Sequence, residues 1–318
     1  MALVNIKSAQ WYSQDVSGIF TISKQFVEDT KSKRDGFIWV SNKDTGKPQK
    51  LHVFKEDLDF ENVCEVSQEE IARDISDRFD TMETLVEGVI NGHIKALAMS
   101  GAAGIGKTYG TVSQLEQAKR DGRINKFTKL SGYCTPIGLY VQLWEHQNEG
   151  DILLLDDIDP FENMESLNVL KAALDTSGTR NISWNSNSSF LRDMGADRNF
   201  EFKGTIVFIT NMNFDEMIEK ATKMSPHFAA LVNRCVYLDL GIHTNEEIMI
   251  RIHQVVESTS LMRDLRVAEF KDDILRWMDD NRDSIRSISI RTIIRMAEYI
   301  KTSPSKWETI ARTTLIKR

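Results

Sequence analysis

The chain has 318 residues, 41% of them hydrophobic and 27% charged, with a formal net charge of −7. That length allows about two domains around a sizeable buried core, and the composition is that of an ordinary globular protein. No apolar run approaches the roughly 20 residues needed to span a bilayer. The acidic balance excludes a protein that coats nucleic acid with its whole surface, though it leaves room for a local basic groove.

The N-terminus, Met-Ala-Leu-Val-Asn-Ile-Lys, has neither the apolar core nor the cleavage site of a signal peptide, so a cytoplasmic location is expected. Residues 1–60 are rich in β-formers: Gly18–Ile22, Phe37–Val40 and Leu51–Phe54. The last two flank a turn-rich stretch, Ser41–Pro48, which predicts a long hairpin. This N-terminal β-rich extension is either a small appended module or an arm on the main domain.

Ser67-Gln-Glu-Glu70 predicts a capping box, because Ser67 and Glu70 can satisfy each other's orphan amides. Helical pattern then runs to about Asn91, with Asp80 the point where it could break. Ile94–Ser100 is a short apolar run of the kind that forms a buried parallel strand. Strand and helix alternate after it: helix 107–121, strand 126–131, helix 136–148, strand 151–155, helix 163–176, strand 204–210. That order predicts an α/β parallel sheet with crossover helices over residues 61–242. From residue 243 to 318 only helices are expected, starting at Thr244-Asn-Glu-Glu247 and at Ser303-Pro304, where Pro304 suits a first helical position. Cys64, Cys134 and Cys235 lack metal-ligand spacing and read as reduced, packed thiols.

Two motifs carry chemistry. Gly101, Ala102, Ala103, Gly104, Ile105, Gly106, Lys107 and Thr108 satisfy the spacing G-x-x-x-x-G-K-S/T between a predicted strand and a predicted helix. Such a loop turns its backbone N–H groups onto phosphate, and the following helix adds the positive end of its dipole. Lys107 is suited to the β- and γ-phosphates of ATP and the Thr108 hydroxyl to Mg²⁺. The second motif, Asp151-Ile-Leu-Leu-Leu-Asp-Asp157, is a buried strand ending in two carboxylates. Asp156 would hold the metal, and Asp157 would position or deprotonate the attacking water.

These motifs, with the segments that follow them, resemble the AAA+ ATPases over about residues 65–300. The resemblance implies that the strand ending in Gly204-Thr-Ile-Val-Phe-Ile-Thr-Asn211 is sensor 1, with Asn211 on the γ-phosphate or the lytic water. It implies that Arg234, in Ala230–Leu238, is an arginine finger completing a neighbour's site. In Ser289–Arg295 it implies sensor 2, with Arg291 the phosphate contact and Arg286 and Arg295 its competitors. One departure is Asp157, where the family usually has Glu; this keeps slow hydrolysis open. The family commonly forms hexameric rings, so a homo-oligomer is implied.

Two segments could reach a ring's channel. Tyr133, in Ser131–Thr135, is either a pore-loop aromatic or a core or nucleotide-side tyrosine. Residues 179–203 predict a hairpin whose polar tip, Asn185–Asp197, carries Arg192, similar to the pre-sensor hairpin of helicase-like branches. The basic stretch Lys119–Lys126 reads as a solvated helix end. The whole chain resembles small stand-alone bacteriophage AAA+ ATPases, which share a Leu-Lys-Ala-Ala-Leu-Asp run (170–175) and a Phe-x-Phe-x-Gly entry to sensor 1 (200–204). The resemblance implies an ATP-hydrolysing motor or loader in DNA metabolism, in a host cytoplasm if the chain is phage-encoded. A protein-remodelling chaperone and a nucleotide-gated scaffold with little turnover are the alternatives.

Overall fold

The structure, a computed structural model, describes residues 3–11, 14–29, 33–41, 48–60, 68–158, 163–176, 178–219, 222–242 and 244–317. The expected turn at 42–47, the Ser67 cap and Cys64 lie outside the described residues.

Five N-terminal strands come first: β1 (Leu3–Trp11), β2 (Gln14–Glu28), β3 (Gly36–Ser41), β4 (Pro48–Val53) and the short β5 (Leu58–Asp59). β2 pairs with β3, β3 with β4, β4 with β1, and β1 back with β2, all antiparallel, so the sheet closes on itself. Closure removes the open edges that the expected β3–β4 hairpin would leave alone. Strict alternation in β3 buries Gly36, Ile38 and Val40 while Phe37, Trp39 and Ser41 stay partly exposed. Ile38 and Val40 meet Val4, Ile6, Leu51 and Val53 in a core separate from the rest of the molecule.

Next come α1 (Gln68–Ile90), β6 (Ala96–Ser100), α2 (Lys107–Arg120), β7 (Lys126–Ser131), α3 (Pro136–Glu145), β8 (Asp151–Asp156) and α4 (Met164–Ala173). A hairpin of β9 (Asn181–Ser183), α5 (Ser189–Asp193) and β10 (Asn199–Glu201) precedes β11 (Thr205–Ile209), α6 (Phe214–Glu219), α7 (Ser225–Val232) and β12 (Val236–Asp239). α1 runs unbroken through Asp80, because Ile75, Phe79, Met82, Val86 and Val89 keep one apolar stripe facing inward. β6, β7, β8, β11 and β12 form a parallel sheet in the order β12-β6-β11-β8-β7. Its three central strands are buried on both faces, and their side chains sort by parity. Leu97, Met99, Ile152, Leu154, Val207 and Ile209 face α1, α2 and the C-terminal helices. Ala98, Leu153, Leu155, Ile206 and Phe208 face α3, α4 and α7.

The C-terminal helices are α8 (Asn245–Ser258), α9 (Leu261–Asp264), α10 (Lys271–Asn281), α11 (Ile290–Thr302) and α12 (Trp307–Leu315). α8 opens on a complete capping box: Thr244 Oγ1 accepts from Glu247 N at 3.2 Å, and Glu247 Oε2 accepts from Thr244 N at 2.9 Å. Pro304 is not a first helical position, contrary to expectation. It lies in a turn closed by Lys306 N to Ser303 O, and α12 begins three residues later. Ile252, Ile274, Met278, Ile293 and Met296 join the same apolar cluster as one face of the sheet, so the C-terminal helices and the sheet are packed as one body of side chains. A parallel P-loop sheet flanked by helices, a helical C-terminal region and an N-terminal β-rich unit make up the expected fold class.

The hairpin before β11 departs from a purely polar tip. Ser188 caps the turn of helix α5, Leu191 is buried, and Phe190 and Met194 stand 47% and 44% exposed. Tyr140 pins its base, with its ring edge-on to Phe200 and its hydroxyl donating to Asp197 O at 2.8 Å. Gly204 lets β11 start: a Cβ there would strike the carbonyl of His146 and the Phe202 ring. The Phe-x-Phe-x-Gly entry is therefore a packing requirement.

Candidate functional site

The sheet order puts the carboxyl ends of β6, β11 and β8 side by side, which is where an open α/β sheet binds ligands. The loop 101–106 leaves β6 and feeds α2, as the motif requires. Gly104, at φ +73°, packs so closely on Ser289 that a Cβ would lie 2.5 Å from the Ser289 Cβ. Ile290 N donates to Gly104 O at 2.9 Å, so the start of α11 is fastened to the loop.

Lys107 is buried, 5% exposed, and its Nζ donates to Gly101 O (2.6 Å), Ala102 O (2.8 Å) and Asn211 Oδ1 (3.0 Å). Burial pushes its ammonium down to about 8. Asp157 and Asp156 oppose that shift and Arg291 adds to it. Asn211 Nδ2 donates to both carboxylate oxygens of Asp157 at 2.8 Å. Asn211 thus joins cation to carboxylate, with its oxygen toward Lys107 and its nitrogen toward Asp157. Asp157 sits at φ +53°, an unusual conformation for a residue other than glycine, and its N–H donates to Ile209 O across β11. That twist turns its carboxylate out of the β8 line toward Asn211. Asp156 continues the strand: its Oδ1 accepts from Thr108 Oγ1 at 2.8 Å, and its Oδ2 pairs with Lys129 Nζ at 3.2 Å.

A cleft of about 1200 Å³ extends from this cluster between α1, α2, α8 and α11. Ala103, Gly104, Gly106, Lys107, Thr108, Asp156, Asp157 and Asn211 line one end. Arg291 lines it from α11. Of its two competitors, Arg286 is turned to Ile316 O, and neither it nor Arg295 reaches the cleft wall. Arg234 lies outside the cleft of its own chain, with Nη1 on Ala230 O at 2.8 Å. Tyr133, 87% exposed, is neither core nor cleft. In the basic stretch, Arg120 pairs with Glu116 and Arg123 with Glu87 at the surface, as a solvated helix end would.

Sequence reasoning did not find Lys129, nor the far end of the cleft. There Arg251 lies 3.4 Å over the Phe79 ring, beside Gln254, Val255 and Leu265. Burial pulls its guanidinium down from the usual value, and its Nε has no partner among the described residues. An arginine inside the apolar stripe Ile248–Ile252 was the available signal, since a charged residue on a buried face demands an explanation.

Among the described residues there is no cluster of three or more His, Cys, Asp or Glu side chains that could hold a metal. The adjacent Thr108 hydroxyl and Asp156 carboxylate are hard oxygen donors that fit Mg²⁺ arriving with phosphate oxygens as further ligands.

No family model matches the chain. A 36.7 kDa protein of Enterobacteria phage T4, described as uncharacterised and lying between nrdC and mobD, is 40% identical over 319 residues, covering 98% of this chain and 97% of its own. The two chains belong to one family. Among solved structures, Brucella abortus NtrX in complex with ADP matches 76% of this chain at 14% identity and a TM-score of 0.44. This chain spans about half of NtrX, 51%. Domain III of the Thermotoga maritima replication initiation protein DnaA matches 75% of this chain and 92% of its own, at 14% identity and a TM-score of 0.45. No described helix is long and apolar enough to cross a membrane.

Proposed function

We propose that the chain is an ATPase: it binds ATP with Mg²⁺ at the 101–108 loop and hydrolyses it to ADP and phosphate. The observation that carries this reading is the connected set Lys107–Asn211–Asp157 beside Thr108–Asp156. Backbone N–H groups of the loop and the start of α2 receive the phosphates, and Lys107 exchanges its neutral oxygens for phosphate charge. Thr108 and Asp156 hold Mg²⁺, which supplies charge neutralisation when bound. Asp157, oriented by Asn211, accepts the proton of the attacking water. The cleft wall of Phe79, Val255 and Leu265 suits the base and sugar, and Arg291 the terminal phosphate.

Arg234, remote from its own cleft, acts on a neighbour's nucleotide in a homo-oligomer, with a hexamer favoured. The boundaries near residues 60 and 242 then separate the β-rich unit, the nucleotide-binding domain and the lid. The work done is on DNA or a DNA-bound protein, in a host cytoplasm. The exposed Phe190 and Met194 on the hairpin favour a second reading, in which a protein client is remodelled.

Lys107→Ala is expected to abolish ATP binding in calorimetry, and Asp157→Asn to keep binding while lowering turnover by about 10²- to 10⁴-fold. Wild-type affinity in Lys107→Ala would refute the phosphate site. Wild-type turnover equal to that of Asp157→Asn would leave a nucleotide-gated scaffold instead of a motor.

A further inference from the structure

Asp156 is held from two directions. Thr108 Oγ1 donates to its Oδ1 at 2.8 Å, and Lys129 Nζ donates to its Oδ2 at 3.2 Å. Lys129 stands on β7, an edge strand of the sheet among the described residues, in register with Leu154. Residues two apart on a strand share a face, so Lys129 and Asp156 lie on one side of the sheet and the long lysine stem spans the diagonal. Asp156 lines the cleft. Lys129 does not, and lines instead a shallow groove of about 470 Å³ beside Tyr109 and Glu116. The lysine thus reaches the carboxylate from outside the cleft and leaves the Thr108 side of it to a ligand.

An edge-strand lysine often does no more than discourage the addition of another strand, and Lys126, bound to Glu145 O, fits that role. Exposed ion pairs also contribute little by themselves. Lys129 differs because its partner's side chain is only 15% exposed and is the carboxylate on which the Mg²⁺ assignment depends. Charge at this end of the cleft is balanced. Asp156, Asp157 and Asp239 act on Lys107, together with Arg291, and Lys129 is paired to Asp156. Three carboxylates therefore face three cations. Of the acids farther off, Asp80 and Glu83 act on Arg251, and Glu116 in the groove pairs with Arg120. No surplus negative charge is left at the Thr108–Asp156 pair to draw a divalent cation by itself.

We propose that Lys129 is a positioning residue for the metal: it neutralises Asp156, so that a divalent cation is taken up only together with the phosphates of a nucleotide. The inference rests on the ATPase reading above. The phosphates supply the negative charge that the balanced site lacks, and Thr108 and Asp156 then serve as hard oxygen donors. Lys129 keeps Oδ2 and with it the setting of the carboxylate toward Thr108. Without the lysine charge, Asp156 would stand uncompensated and attract a divalent cation before any nucleotide arrived.

The test is uptake of Mn²⁺ by the full chain, read from the loss of the free ion's electron paramagnetic resonance signal, with and without ATP. The wild type is expected to take up Mn²⁺ weakly alone and far more tightly with ATP. Lys129→Met, which keeps the stem and removes the charge, is expected to bind Mn²⁺ alone at least about tenfold more tightly than the wild type. Lys129→Arg should behave as the wild type, and Asp156→Asn added to Lys129→Met should abolish the gain. The urea midpoint serves as the check that each variant is folded. Mn²⁺ affinity that is unchanged or weaker in Lys129→Met overturns the proposal, as does a gain that Lys129→Arg shares or that survives Asp156→Asn. Where ATP binds, equal uptake by the wild type with and without it also overturns the proposal. If ATP binds and Lys129→Met shows no gain, this inference fails alone and the ATPase reading stands. If no ATP binds, the ATPase reading fails, and a gain in Lys129→Met then upholds the charge role of Lys129 by itself.

Discussion

Lys107 is buried, and that burial accounts for a titration the sequence does not announce. If the loop receives ATP as proposed, the phosphates need the ammonium, and binding raises a pKa that burial has lowered to about 8. Below that pH the lysine is charged before and after binding, and affinity is flat. Above it a proton must be taken up, and affinity is expected to fall toward about tenfold per pH unit. Calorimetry of Mg-ATP from pH 7 to 9.5 checks this, and Lys107→Arg, whose guanidinium does not titrate there, should flatten any curve that survives. A flat wild-type curve would show that Lys107 is not the titrating phosphate contact. The same shift acts on folding: the unfolded chain holds more protons between pH 8 and about 10.5, so this group's contribution to stability rises with pH in that window. Asn211 was legible as a polar residue at a strand end, but its two-sided role was not, because nothing in its neighbourhood names Lys107, 104 residues away.

At the scale of elements, the strands that carry the site are defined by what their two faces touch. Leu154 and Leu155 look alike in sequence, yet the first packs toward α1 and α2 and the second toward α3 and α4. A slip of one residue would exchange the faces and turn Asp156 away from Thr108. Leu154→Ala is expected to cost about 2–5 kcal/mol, seen as a lower urea midpoint with an unchanged slope. Met164→Ala, at a residue 47% exposed, should change little. Helix α8 was readable to the residue because its cap is local: Thr244 and Glu247 satisfy each other. The start of α12 was misplaced because proline marks a permitted position, and a turn uses the same fixed φ.

For the whole molecule, the sharpest consequence is that Arg234 stands outside the cleft of its own chain. If it completes a neighbour's site, Arg234→Ala should bind ATP nearly normally and hydrolyse it poorly. Mixing it with Lys107→Ala should return part of the turnover, since some interfaces then combine an intact loop with an intact arginine. Turnover that never exceeds the sum of the two variants would remove the shared site. The barrel shows the opposite limit of sequence reading. A hairpin was visible at β3 and β4 from alternation and turn residues. The long β1, and its pairing with both β2 and β4, were not, because closure depends on partners that no local pattern identifies.

By itself the sequence determined the elements whose cause is local: the phosphate loop, the buried strand ending in paired carboxylates, the capped α8, and the α/β order that makes a parallel sheet. The tertiary structure alone decided which of Arg286, Arg291 and Arg295 lines the cleft, that Asn211 links Lys107 to Asp157, that Arg251 and Phe79 wall its far end, and that the N-terminal strands close. These depend on distances between residues far apart in the chain. They follow from which apolar faces pack together, and such packing is settled only when the whole chain has folded.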